Sequence, residues 1–208
     1  MGKSIANKYF DSDWPSTLSD RHSKDWPNAI RIIRSRFESR YFKQIEVLMA
    51  SKEKEIKFNC GFLVMTIDCL LIETLHQFHL GLYHTNELYK NRNAQAFIDF
   101  FNNSSYFPFF NGNDEASRQF YWQIRCGLLH QAESKSQSII NIRENEMIIP
   151  NDQTDLSKGL VINRNLFHNA LVKEFEMYIK NLENPDSRNT NGDFLREKCH
   201  RKMWSIVC

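Results

Sequence analysis

IKFNCGFLVMTIDCLLIETLHQFHLGLY, residues 56–83, is apolar on several sides when wound as a helix, with Phe58, Phe62, Met65, Cys69, Ile72, Leu75, Phe78 and Leu82 recurring every three or four residues. A helix with so little polar face to offer solvent belongs at the centre of a bundle. Asp68, Glu73, His76 and His79 interrupt the run, so it falls short of the ~18 consecutive apolar residues of a membrane-spanning helix.

Amphipathic neighbours follow on both sides. Upstream, Ile30, Ile33, Phe37, Tyr41, Ile45 and Leu48 repeat at helical spacing from Pro27 to Ala50, with the proline near the first turn. Downstream, a short helix over Asn93–Phe101 leads into the loop Tyr106-Phe107-Pro108-Phe109-Phe110, which reads as core closure. A third long helix runs from about Asp114 to Gln131, with Phe120, Ile124 and Leu128 inward. The period then changes. Ser138–Ile142 and Met147–Pro150 are β-rich runs joined by Arg143-Glu144-Asn145-Glu146, which reads as a hairpin, and Gly159–Ile162 adds a short third strand. Asn163 or Asn165 caps a last core helix to Leu182, with Leu166, Ala170, Leu171, Phe175, Tyr178 and Leu182 inward. The reading is an all-α antiparallel helical bundle with a small β-hairpin insertion at 137–162. Residues 1–26 are expected to be an irregular N-terminal segment, 27–182 the helical domain, and 183–208 a C-terminal extension with a short helix.

Composition narrows the function classes. With 27 Lys+Arg against 25 Asp+Glu the net charge is +2, so bulk charge does not announce a nucleic-acid binder. Sixteen Phe, 7 Tyr and 4 Trp beside only 7 Gly and 5 Pro exclude collagen-like and disordered chains. The start MGKSIANKYFDSDWP has no apolar signal region, and Ala6 stands where myristoylation wants Ser or Thr. Five Cys (60, 69, 126, 199, 208) form no CxxC, which points to reduced, mostly buried thiols and a cytoplasmic location. P-loop, GxSxG, HExxH and Rossmann glycine patterns are absent.

The chemistry concentrates in ASRQFYWQIRCGLLHQAE, residues 116–133. A guanidinium such as Arg125 can grip a phosphate with two donors, and an imidazole such as His130 can exchange a proton near neutral pH. RNA cleavage by internal transesterification needs both, one to remove the 2′-OH proton and one to stabilise charge on phosphorus. Five residues at about 100° each leave the two side chains about 140° apart on one helix. A single helix cannot easily aim both at one atom, whereas two copies about a twofold axis can.

Arg125-Cys-Gly-Leu-Leu-His130 fits R-x4–6-H, and the helix holding Ile67–Leu75 precedes it by a suitable interval. In these features, and in the strand-like insertion and last helix that follow, residues 27–182 resemble the HEPN superfamily, the all-helical domains of many prokaryotic toxins and antiviral ribonucleases. The resemblance implies a homodimer with facing Arg–His helices and endoribonuclease activity that needs no metal or cofactor. Its implied partners are RNA and an antitoxin or defence-system protein, with no membrane. It equally implies an alternative, since the family includes non-catalytic modules that only bind RNA, nucleotide or protein. Toxins modified on a Tyr two residues after the His have no counterpart here, because that position is Ala132. The resemblance also gives Glu73 or Asp68 the task of orienting Arg125 or His130.

Tyr121 and Trp122 are candidates for stacking a base, with Gln131 lining the same groove. Arg31 and Arg34, with Arg36 and Arg40, give the first helix a cationic flank that can steer phosphates, as can Arg196, Lys198, Arg201 and Lys202 near the end. Glu73, His76 and His79, with His84 beyond, hold half of a carboxylate–histidine metal site, but no second E-x-x-H supplies the other half. A metal-dependent bundle enzyme is therefore a third class, with no metal residues assigned.

Overall fold

The computed structural model describes residues 2–208. Its strands are β1 (Ser4–Ala6), β2 (Tyr9–Phe10), β3 (Ile139–Asn141), β4 (Ile148–Pro150) and β5 (Leu160–Asn163). Its helices are α1 (Trp26–Phe37), α2 (Lys43–Met49), α3 (Lys54–Asn59), α4 (Gly61–Leu80), α5 (Asn86–Tyr89), α6 (Asn93–Asn103), α7 (Asp114–Phe120), α8 (Cys126–Gln131), α9 (Arg164–Glu183) and α10 (Leu195–Val207). The protein is mostly helical, with α4 at the centre packed against α6, α8, α9 and α10.

The long apolar run is broken at Cys60. In an unbroken helix the carbonyls of Lys57 and Phe58 would accept from the amides of Gly61 and Phe62. Here both accept from the buried guanidinium of Arg164, which closes the end of α3. Gly61 makes this approach possible, since a Cβ there would stand 2.9 Å from Arg164 Nη1. By length and composition α4 meets the test for a membrane span, yet 56% of its apolar window is buried inside the fold.

Two helices carry a π turn. Residues Glu38–Phe42 join α1 to α2, and Tyr121–Arg125 join α7 to α8, so each predicted helix is continuous but carries one wider turn with an extra residue. The Phe-rich loop does close the core: Phe107 and Phe110 are fully buried, Phe110 stacks on Phe101 at 4.0 Å, and Phe107 meets Phe167 of α9 at 5.0 Å. Leu166, expected inward, is exposed, because Phe167 and Leu171 take the core-facing positions of α9.

The expected hairpin is corrected. β3 and β4 do not pair with each other; β5 lies between them, parallel to β3 and antiparallel to β4. The reason is burial. Leu160 and Ile162 of β5 are fully buried, so the most apolar strand takes the position with hydrogen-bonding neighbours on both edges. Before α1, β1 and β2 pair antiparallel, and Ile5, Ala6, Trp14 and Leu18 are buried in the main core.

Residues 183–208 are integrated into the fold by Arg196. Its guanidinium donates to the carbonyls of Leu182 (2.7 Å), Glu183 (2.9 Å) and Arg21 (2.7 Å), capping the end of α9 and pinning the N-terminal segment. Arg196→Met strips three carbonyls of a charged donor. It is expected to cost about 3 kcal/mol, read as a fall of ~6–12 °C in the thermal midpoint by circular dichroism. An unchanged midpoint would show that the cap is dispensable.

Candidate functional site

The helix that carries the Arg–His motif starts at Asn113, whose side chain accepts from the Ala116 amide at 3.1 Å. It ends at Ala132, which adopts a left-handed conformation with φ 53°. From there the chain doubles back over its own last turns. The Lys135 amide donates to the Gln123 carbonyl at 2.8 Å, and a Cβ on Gly127 would lie 2.4 Å from the Glu133 carbonyl oxygen. Only glycine fits at 127. Gln123 also fastens the β insertion: its amide donates to the carbonyls of Leu156 and Ser157, and its side-chain oxygen accepts from Ser138.

Arg125 turns inward. Its Nη2 donates to Glu73 Oε2 at 3.2 Å, with only 17% and 21% of the two side chains exposed. Its guanidinium lies 5.5 Å from the centre of the Tyr121 ring, and its Nε is buried without a partner. Burial works against the charge, but Glu73 together with Tyr121 and Cys126 outweighs it, and Arg125 is held more firmly protonated than usual. Glu73 is positioned in turn by Thr85, whose hydroxyl donates to Oε1 at 2.5 Å and accepts from Gln77 at 2.8 Å. Gln77 accepts from Lys202 of α10 at 2.7 Å, so a polar chain links the last helix to the guanidinium.

His130 turns outward. It is exposed near the end of α8, as is Gln131. One chain therefore does not bring Arg125 and His130 to a common point. Of the two stacking candidates, Trp122 is 51% exposed whereas Tyr121 is buried. Asp68 does not reach Arg125. It is fully buried, with Oδ1 2.7 Å from His168 Nδ1 of α9 and Oδ2 unpartnered. Burial raises its carboxyl pKa against the opposing pull of His168. Comparison of the chain with known protein families, curated proteins and solved structures finds no match. The geometry alone has to speak for the site.

Arg34 pairs with Glu176 of α9 at 2.6 Å, and Arg31 is exposed with Asn28 as its partner. Arg36 and Arg40 are engaged by carbonyls of β1. The trio on α4 disperses. Glu73 serves Arg125 and Thr85, His76 Nε2 meets the Tyr89 hydroxyl at 2.6 Å, and the His79 ring packs edge-on against Tyr178 at 4.7 Å. Among the described residues no group of three His, Cys, Asp or Glu side chains is placed to hold a metal ion. Thr85 and His168 carry no mark in the sequence; Gly127 did, as a lone glycine inside a helical pattern.

Burial keeps His76 neutral, lowering its pKa to about 4, and lowers His79 in the same direction. The unfolded chain takes up protons on both imidazoles below about pH 6.5, whereas the folded chain refuses them. Stability is therefore complete above that pH and declines as pH falls toward 4. The urea midpoint should drop between pH 7 and pH 5, and His76→Gln, which keeps a donor for Tyr89, should reduce the slope. A flat midpoint over that range would refute the assignment.

Proposed function

We propose that this chain is a HEPN-like, metal-independent endoribonuclease that works as a cytoplasmic homodimer in a toxin or antiviral defence setting. The observation that carries the reading is the opposite facing of the two motif residues: a guanidinium held rigid by Glu73 and an imidazole open to solvent five residues on. In a twofold dimer, Arg125 of one protomer and His130 of its partner complete a site. His130 takes the 2′-OH proton, the 2′-oxygen bonds to phosphorus, and the P–O5′ bond breaks. Arg125 stabilises the charge on the non-bridging oxygens, and the departing 5′-oxygen gains a proton. The products are a 2′,3′-cyclic phosphate and a 5′-hydroxyl.

Support for dimerisation comes from the face of α4 that leads to Glu73. Phe62, Leu63 and Leu70 are 40%, 50% and 45% exposed, and Leu129 of α8 is 42% exposed. Such apolar side chains on adjoining helices suit burial against a second copy. Light scattering and end-group analysis of total RNA incubated in EDTA test the two halves of the reading.

The second reading is a binding-only module. Arg125 already has a carboxylate partner, and a guanidinium so engaged has fewer donors for a phosphate. RNA affinity without cyclic-phosphate ends would favour it.

A further inference from the structure

Away from Arg125, a cavity of about 260 Å³ opens between α4, α6 and α9. Its walls include His76, Phe100, Asn103, Tyr106, Glu174 and Met177. Three of the polar groups among them, His76, Asn103 and Glu174, each keep a free acceptor, which follows from where the hydrogens go. Asp99 can only accept, so the Tyr89 hydroxyl donates to it at 2.8 Å. His76 Nε2 must then donate to Tyr89, which leaves Nδ1 as a bare acceptor. The Asn103 amide nitrogen donates one of its two hydrogens to the Asp99 carbonyl at 2.7 Å, and its side-chain oxygen has no protein donor. Glu174 accepts at one oxygen from Ser104 at 2.5 Å and has no protein donor at the other. Partial burial raises the Glu174 pKa against the opposing hydrogen bond from Ser104. Arg188 also lines the cavity, but its guanidinium stacks on Phe194 at 3.7 Å and donates to the Gly192 carbonyl.

The cavity therefore presents three free acceptors, one of them a carboxylate oxygen, beside two aromatic rings. Ser105, Tyr106, Asn181 and Thr190 also line the cavity with groups that can donate or accept, so it is the Glu174 carboxylate that disfavours an anion. A cation with several N–H donors would meet partners on every side, with ring faces to hold its charge. We propose that this cavity binds a small primary ammonium cation with an apolar body. Glu174, the Asn103 oxygen and His76 Nδ1 receive the three N–H groups, and Phe100, Tyr106 and Met177 cover the body. The inference stands whether or not the chain cleaves RNA.

Calorimetric titration of the full chain with phenethylamine tests it, with 3-phenylpropionate as the anion of similar shape. The amine is expected to bind at least about tenfold tighter than the acid. Glu174→Gln should weaken it by about tenfold or more, and Asn103→Leu by several-fold. Met177→Trp, at a partly exposed position, should block binding while leaving the circular dichroism melt unchanged. Equal affinity for amine and acid overturns the proposal. So does the absence of heat with millimolar phenethylamine, or undiminished binding in Glu174→Gln.

Discussion

If the proposed site is correct, His130→Ala is expected to lower the rate of RNA cleavage in EDTA by about 10²–10⁴-fold, the usual loss when a positioned general base or acid is removed. Its thermal midpoint stays at the wild-type value, because the imidazole is exposed and no partner depends on it. Arg125→Lys is the sharper test of the second group. It keeps a cation beside Glu73 but loses the planar fork, and a loss of about 10²-fold is expected if that fork grips the phosphate. Arg125→Ala would also leave Glu73 half-buried without its cation, mixing stability with chemistry. A mixing experiment then asks whether the site spans two protomers. Combined after dissociation and reassociation, the two inactive proteins give heterodimers in which one site has both residues intact. Roughly a quarter of wild-type activity should return for a twofold composite site. Wild-type rates in both single variants would sink the mechanism, and no recovery on mixing would place the two residues in one protomer.

His168→Leu should destabilise the fold by ~3–5 kcal/mol, since it removes the sole partner of a fully buried carboxyl. The deficit has a predictable pH dependence. Asp68 in the variant must either carry an uncompensated charge or hold a proton that the unfolded chain releases above about pH 4. The folded pKa is already raised by burial, and loss of His168 raises it further. Stability relative to wild type should therefore worsen as pH climbs above about 4 and recover in acid. The double variant Asp68→Asn with His168→Leu should regain part of the loss at neutral pH. Urea melts at pH 4 and pH 7 decide the matter, and a deficit independent of pH would mean that packing, not the carboxyl, sets the cost.

Helical period made α1, α4, α9 and the motif helix legible, because each buries a face whose residues recur at fixed spacing. A cap at Asn163 or Asn165 was legible for a similar reason, and it falls on Asn163, whose oxygen accepts from the amides of Asn165 and Leu166, close by in sequence. What escaped was decided by residues far away in the chain. The break at Cys60 depends on Arg164 reaching back more than 100 positions. The central place of β5 depends on a comparison of burial among three strands, which local pattern does not rank. At the site, Glu73 could be named as a companion of Arg125, but Asp68 could not be separated from it. Both are acids on one apolar helix, and only the packing of α9 assigns His168 to Asp68. Thr85 was invisible because its task is to hold a carboxylate twelve residues earlier through a turn.

The π turn at Tyr121–Arg125 has a consequence for counting along the chain. A π turn is an α-helix with one residue inserted, and its neighbours must shift in phase to accommodate it. Here the extra residue lies within Tyr121–Arg125, a turn that ends on the motif's arginine, so α7 is rotated against Cys126–His130. A gapless alignment with a straight helix can match residues 126–131 or 114–120, but not both on their true faces. Deleting one residue inside 121–125 would erase the offset, swinging Phe120 and its aromatic neighbours by roughly a quarter turn relative to Arg125. That insertion lets the helix bury its phenylalanines on one side and still aim a guanidinium at Glu73.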